Sequence, residues 1–177
     1  MKIAIIGAGV SGLTAAHHLT TRGLEVEVFE KSRGLGGRLA TKRLDWAHMD
    51  TGAQYFTARD PKFVAQLEEW LDAGVAAEWR AKIVKLRAGQ VDSSGRSNDR
   101  VHSARFVGVP GMSSIGKHLS EACSVHTGFQ VARLERDGVQ TSLVSQDGHR
   151  ETGFDVVVVA SPAAQAAELI RSLAPGL

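Results

Sequence analysis

Residues 7–12 read Gly-Ala-Gly-Val-Ser-Gly, a GxGxxG run directly behind the apolar residues Ile3 to Ile6. Each glycine has a task in a turn that meets phosphate. Gly7 permits the tight turn, Gly9 lets the backbone approach a pyrophosphate, and Gly12 lets a helix pack closely on a strand. The helix that the run opens offers free N–H groups and the positive end of its dipole to phosphate. Eighteen residues after Gly12, Glu30 closes the alternating stretch Glu25 to Phe29. A carboxylate there can accept hydrogen bonds from a ribose diol, and it would repel a 2′-phosphate. Glycine turns are common. Strand, helix, second strand and terminal acid together specify an ADP-containing cofactor, without separating FAD from NAD.

The elements that position these groups follow from spacing. Four apolar residues ending at a glycine read as a strand buried on both faces. Val10, Leu13, Ala16 and Leu19 place one helix face on that strand, and Gly23 stops the helix. Just past Glu30 comes Lys-Ser-Arg-Gly-Leu-Gly-Gly-Arg, residues 31–38. Gly36 and Gly37 allow close backbone approach, while Arg33 and Arg38 can neutralise phosphate charge. A glycine doublet followed by Arg matches the second fingerprint of amine-oxidase-type flavoproteins and argues against a plain NAD(H)-binding reductase.

Further along, Asp60-Pro61 is an N-cap with Pro at the first helical position, and Gly74 closes the segment. Phe63, Val64, Leu67, Trp70 and Leu71 recur at helical spacing, an apolar face that fits core. Trp79 to Leu86 and Val101 to Val107 read as short strands around a polar loop, Asp92 to Arg100. Trp46 and Trp79 read as packing residues. Ser113 is expected to cap a helix reaching about Ala122. Val125 begins a strand, Phe129 to Glu135 alternates, and the Asp137-Gly138 turn with Gln140 to Ser145 predicts a hairpin. Phe154 to Ala160 reads as one continuous buried strand, and Ser161-Pro162 starts a helix carrying Leu169, Ile170 and Leu173. Ala160 and Ser161 would then lie at the C-terminal end of a parallel strand, where open α/β sheets bind cofactors.

Composition bounds the function. The 177 residues carry 21 Lys+Arg against 19 Asp+Glu, a net charge of +2, with basic residues scattered, so no nucleic-acid partner is expected. The N-terminal apolar run is too short for an export signal or a bilayer span, so a soluble cytoplasmic protein without a membrane partner is expected. Cys123 is the single cysteine, as in a reducing compartment. The seven histidines show no metal-ligand spacing, and neither GxSxG nor CxxC occurs. No acid–base residue stands out, and the catalytic residues stay unassigned. Flavin chemistry does not require one, because the ring itself accepts hydride.

Residues 1–41, then Asp50 to Pro61, then Gly108-Val109-Pro110-Gly111-Met112, resemble the bacterial renalase-like FAD-dependent oxidoreductases of the flavin-containing amine oxidase superfamily. The resemblance implies an α/β fold: a Rossmann-type FAD/NAD(P)-binding domain with a parallel central sheet, plus part of an inserted antiparallel α+β substrate domain. It implies a first FAD-binding segment over 1–57, a partial substrate or cap domain over 58–108, and a second FAD-binding segment over 109–177. Gly7, Gly9, Val10, Ser11 and Gly12 would cradle the pyrophosphate and Glu30 would hold the ribose. Lys31 and Arg33 would border ribose and phosphates, while Gly36, Gly37 and Arg38 would lie along diphosphate and ribityl chain. Ala53, Gln54 and Tyr55 would lie beside the isoalloxazine, a placement the bare residues do not give, since they suit a core as well. Val131 would meet the adenine through its backbone, with Ala160 and Ser161 nearby.

The implied activity is oxidation of a small reduced substrate with O₂ as acceptor, the substrate being a misreduced nicotinamide dinucleotide or an amine. Family members are about twice this long. Their later half carries a Gly-Asp dipeptide that this chain lacks. The C-terminal half therefore reads as absent, which implies weak FAD binding, poor turnover and an exposed sheet edge open to homodimerisation. The alternative reading is a non-catalytic dinucleotide-binding fragment.

Overall fold

The computed structural model describes residues 1–80, 85–87, 90–92, 104–171 and 173. The chain begins with β1 (Lys2–Ile6), α1 (Val10–Thr20) and β2 (Glu25–Glu30), followed by a 3-10 turn at Gly37–Leu39 and the short strands β3 (Thr41–Arg43) and β4 (His48–Asp50). Then come α2 (Pro61–Asp72), β5 (Ala76–Glu78), β6 (Lys85–Arg87), β7 (Gln90–Asp92) and β8 (Phe106–Gly108). The last part holds α3 (Ser113–Ser120), β9 (Ser124–Thr127), β10 (Val131–Asp137), β11 (Gln140–Ser145), β12 (Arg150–Phe154), β13 (Val156–Val159) and α4 (Ala163–Arg171).

The centre is a four-stranded parallel sheet in the order β13-β1-β2-β9. Side chains alternate across its two faces with the period of two that a strand imposes. Ile3, Ile5, Val26 and Val28 join Leu13 and Ala16 of α1, Ile115 and Leu119 of α3, and Leu67 and Trp70 of α2 in one core. Ala4, Ile6 and Phe29 join Leu134, Leu143, Phe154 and Leu169 in a second core on the opposite face. That second layer is the antiparallel sheet β10-β11-β12 together with α4. Because both faces of β1 are covered, its sequence is apolar without alternation. Each fully buried Ile, Leu or Phe contributes about 1.5–3 kcal/mol relative to exposure.

Local expectations held where the signals were local. The Asp60 carboxylate accepts the Lys62 and Phe63 N–H groups and Pro61 opens α2. The β10–β11 hairpin closes at the Asp137–Gln140 pair. Other readings need correction. The stretch from Phe154 to Ala160 is two strands, because at Asp155 the chain leaves the antiparallel sheet for the parallel one. Asp155 N–H donates to Lys2 O at 2.9 Å, and its carboxylate accepts Lys2 N–H at 2.8 Å and Gln140 Nε2 at 3.0 Å. Nor is this last strand buried on both faces: β13 is an edge strand whose Val156 is 39% exposed.

Ser113 does not cap α3. It is already helical, Met112 precedes it without a side-chain cap, and the helix ends at Ser120. Trp46 is 80% exposed near the tip of the β3–β4 hairpin, so it is no packing residue, and Trp79 is only partly covered. The extended chain expected over Trp79 to Leu86 lies instead at β5 and β6, with 81–84 outside the described residues. In the region of Val101 to Val107, residues 101–103 lie outside them and the strand is β8. Of the expected loop Asp92 to Arg100, Asp92 closes β7 and the rest lies outside the described residues.

Candidate functional site

A cleft of about 1070 Å³ opens at the C-terminal ends of β1, β2 and β13. Its size is just above the usual range for small-molecule and cofactor sites, about 300–1,000 Å³. Gly7, Gly9, Val10 and Ser11 form its base, and Glu30 and Lys31 stand at the tip of β2. Gly36, Gly37, Arg38 and Ala53 make one wall. Val131, Ala160 and Ser161 contribute to the other. Of the residues expected from sequence, Gly12, Arg33, Gln54 and Tyr55 do not line it.

Gly12 is buried beneath the turn, where a Cβ would fall 2.0 Å from the Gly7 carbonyl oxygen and 3.2 Å from Ala160 Cβ. Its task is packing, as the spacing predicts. Gly7 holds φ 108°, a conformation that side chains resist. Gly9 is different, for a Cβ there would meet nothing within 4 Å. The space beside Gly9 is room for a ligand. Arg33 is exposed and does not contribute to the lining. Gln54 and Tyr55 sit beyond Ala53. The Tyr55 ring packs on Trp79 at 5.7 Å, with the Arg105 guanidinium over it at 5.0 Å.

Glu30 is nearly buried, at 8% exposure. Its Oε2 accepts the Ala8 N–H and its Oε1 the Ser32 N–H, both at 2.8 Å. Each oxygen keeps a second lone pair for a ligand hydroxyl. The first turn of α1 has no acidic residue and no side-chain cap, which leaves its positive end to the cleft. Lys31 and Arg38 are the cations of the lining. The Ser161 hydroxyl is buried and has no partner among the described residues, an orphan donor that a ligand oxygen would satisfy. These features fit a dinucleotide: an uncrowded glycine at a helix start, a ribose-height carboxylate and cations along the wall.

Sequence reasoning missed several groups. Gln130 and Gln146 line the cleft and are tied together by the Gln146 N–H to Gln130 carbonyl bond of 2.9 Å. Gln165 and Glu168 line it from α4, and Lys31 Nζ lies 3.5 Å from Gln165 Oε1. Their spacing with Leu169 on one helix face was the available signal. Gly116 was missed as well. It lies within α3 and packs against Gly36, where a Cβ would come within 2.7 Å of the Gly36 Cα. A glycine inside a helix costs about 1 kcal/mol, so its presence there already argues for close packing. Among the described residues no group of three or more His, Cys, Asp or Glu could hold a metal ion, and no helix is long and apolar enough to cross a membrane.

A family model described as an NAD(P)-binding Rossmann-like domain matches residues 5–70. Protoporphyrinogen oxidase 2, chloroplastic/mitochondrial, of Arabidopsis thaliana is 40% identical over 68 residues, 38% of this chain and 13% of that protein. The 4,4'-diapophytoene desaturase (4,4'-diaponeurosporene-forming) of Staphylococcus aureus strain Newman is 48% identical over 52 residues, 29% of this chain and 10% of that one. Among solved structures, a triple mutant of putrescine oxidase made to redesign cofactor binding superposes with a TM-score of 0.72 at 16% identity. That likeness covers 95% of this chain and 59% of the other. The chain thus spans less than two thirds of each of these relatives. With the parallel sheet and its glycine turn, they define the fold as α/β with a Rossmann-type dinucleotide-binding domain.

Proposed function

We propose that the chain is the cofactor-binding part of an FAD-dependent oxidoreductase that takes hydride from a small reduced substrate. The observation that carries this reading is the convergence of two glycine motifs, nearly 30 residues apart in sequence, on one cleft with Glu30 between them. Gly9 and Gly36 are joined by a bridge, and Gly36 N–H donates to Ala8 O at 2.8 Å. The names of the relatives, two oxidases and a desaturase, support an oxidoreductase.

In this reading the first turn of α1 donates to the pyrophosphate, and Glu30 accepts the ribose hydroxyls. Lys31 and Arg38 offset phosphate charge, with Arg33 nearby in bulk solvent. Ser161 donates its orphan hydroxyl, while Val131 and Ala160 border the adenosine half. Ala53 flanks the flavin end, and Gln54 and Tyr55 face outward toward the substrate side. Bound FAD would supply the hydride acceptor that no side chain offers. Residues 58–108 are taken as the first part of a substrate cap, on segments 1–57 and 109–177. The substrate is a misreduced nicotinamide dinucleotide or an amine, with O₂ as acceptor, in the cytoplasm. The exposed β13 edge is the surface through which two copies would pair.

An absorption spectrum with and without added FAD tests the reading. Flavin bands that persist through gel filtration and bleach with one substrate class are the expected result, and the class that bleaches them names the substrate. A protein that never takes up FAD overturns it. FAD uptake without bleaching by either class favours a dinucleotide-binding fragment.

A further inference from the structure

Resting on the reading of the cleft as a dinucleotide site, the geometry points to Thr41 and Asp50 as positioning residues that hold its glycine-doublet wall without touching the ligand. Neither lines the cleft. They face each other across the β3–β4 hairpin, and Thr41 Oγ1 donates to Asp50 Oδ1 at 2.6 Å. The same two oxygens receive the start of α3. Asp50 Oδ1 accepts the Met112 N–H at 2.9 Å, and Thr41 Oγ1 accepts the Ser113 N–H at 3.0 Å. The helix has no side-chain cap from its own N-terminal residue. Its cap is supplied by a hairpin more than sixty residues earlier in the chain.

The capped helix presses Gly116 onto Gly36. On the other side, the residues just after Asp50 hold the far end of the doublet. Ala53 N–H donates to Arg38 O at 2.8 Å, Thr51 N–H donates to Ala40 O at 3.0 Å, and a Cβ on Gly52 would lie 2.0 Å from Arg38 O. The wall formed by Gly36, Gly37, Arg38 and Ala53 is therefore clamped between a helix and a strand joined at one point, the Thr41–Asp50 pair. The base of the cleft has its own brace, Glu30 with Ala8 and Ser32, and meets the doublet wall at the Gly36 N–H to Ala8 O bond. A loosened joint should relax the wall and spare the Glu30 brace at the base. A general structural role would weaken both.

The test uses Thr41→Val, which removes the hydroxyl and keeps the shape, beside Thr41→Ser, which restores it, and Asp50→Asn, which keeps the Oδ1 acceptor. Amide hydrogen exchange is measured on the ligand-free protein. Affinity is measured by titration with FAD and with AMP. In Thr41→Val, exchange at Leu39, Ala40 and Ala53 should quicken about tenfold while Ala8 and Ser32 stay unchanged. FAD affinity should fall about tenfold and AMP affinity change less than about twofold. Thr41→Ser and Asp50→Asn should behave as wild type. Equal quickening at both sets of amides, no quickening at Leu39, Ala40 and Ala53, or a Thr41→Ser as poor as Thr41→Val would overturn the assignment. A wild type that binds neither FAD nor AMP would instead overturn the functional reading, with the exchange pattern still deciding the joint.

Discussion

Ala8 and Glu30 meet within the glycine turn, the Ala8 N–H donating to Glu30 Oε2 at 2.8 Å. The acid at the tip of β2 thereby fixes the glycine turn that leaves β1. The Ser32 N–H on its other oxygen fixes the chain beyond β2. One carboxylate thus shapes the site and is also available to a ribose.

Glu30→Gln separates these duties from simple loss of charge. An amide has one acceptor oxygen, so its NH₂ group must face either the Ala8 or the Ser32 N–H. We expect a loss of about 1–3 kcal/mol in stability, because a nearly buried donor is left unpaired. Urea unfolding measures it, and a paired FAD titration should show weaker binding. Unchanged stability would mean that these two hydrogen bonds do not brace the turn.

Gly9 and Gly12 make a contrast within one motif. Gly9→Ala adds a methyl where nothing lies within 4 Å, at φ −75° and ψ 173°, so stability should change by less than about 1 kcal/mol. Dinucleotide affinity should nonetheless fall at least about tenfold, since the methyl occupies the approach to the pyrophosphate. Gly12→Ala pushes a methyl to 2.0 Å from Gly7 O and should cost about 3 kcal/mol or prevent folding. Thermal unfolding of both variants and FAD titration of Gly9→Ala check the contrast.

How much of this was legible beforehand follows from where each constraint acts. The turn, α1, β2 and Glu30 were readable because each depends on neighbours within a few residues. The break at Asp155 was not. Phe154 and Val156 are equally apolar, and only the meeting of Asp155 with Lys2, at the other end of the chain, tells which sheet each joins. The cap of α3 was misread for the same reason: a serine stands at the expected place, while Thr41 and Asp50 supply the acceptors. Arg33 differs from Arg38 in a way the spacing does not show: both flank the glycine doublet, yet only Arg38 lines the cleft while Arg33 is exposed outside its lining.

A pH dependence should come from the strip Lys2–Glu27–His126, which crosses β1, β2 and β9. Lys2 Nζ lies 2.8 Å from Glu27 Oε1, and His126 Nε2 lies 2.8 Å from Glu27 Oε2. Burial alone would push the Glu27 carboxyl up, but the hydrogen bonds from Lys2 and His126 outweigh it and hold the carboxyl below its ordinary 4.5. The hydrogen bond to Glu27 likewise raises Lys2 above 10.5. A depressed carboxyl stabilises fully above its unfolded value and loses that contribution as pH falls through the folded value. A raised ammonium stabilises fully below its unfolded value and loses it as pH rises through the folded one. The stability gap between wild type and Glu27→Gln should therefore shrink as pH falls below about 5 and as it rises above about 10. Urea midpoints at pH 3.5, 7 and 11 check it. A gap unchanged at pH 3.5 would show that Glu27 gains nothing from its partners.

The cleft draws its lining from nearly the whole length of the chain, from Ile6 to Leu169. A dinucleotide lying in it would work as a removable clasp, touching the first strand, the hairpin layer and the last helix together. Such a ligand grips the folded chain alone, so at a free concentration one hundred times its Kd it would add about 2.7 kcal/mol to stability. A melting curve then becomes a gauge of cofactor affinity. A chain that has not yet brought α4 into place lacks one side of the clasp.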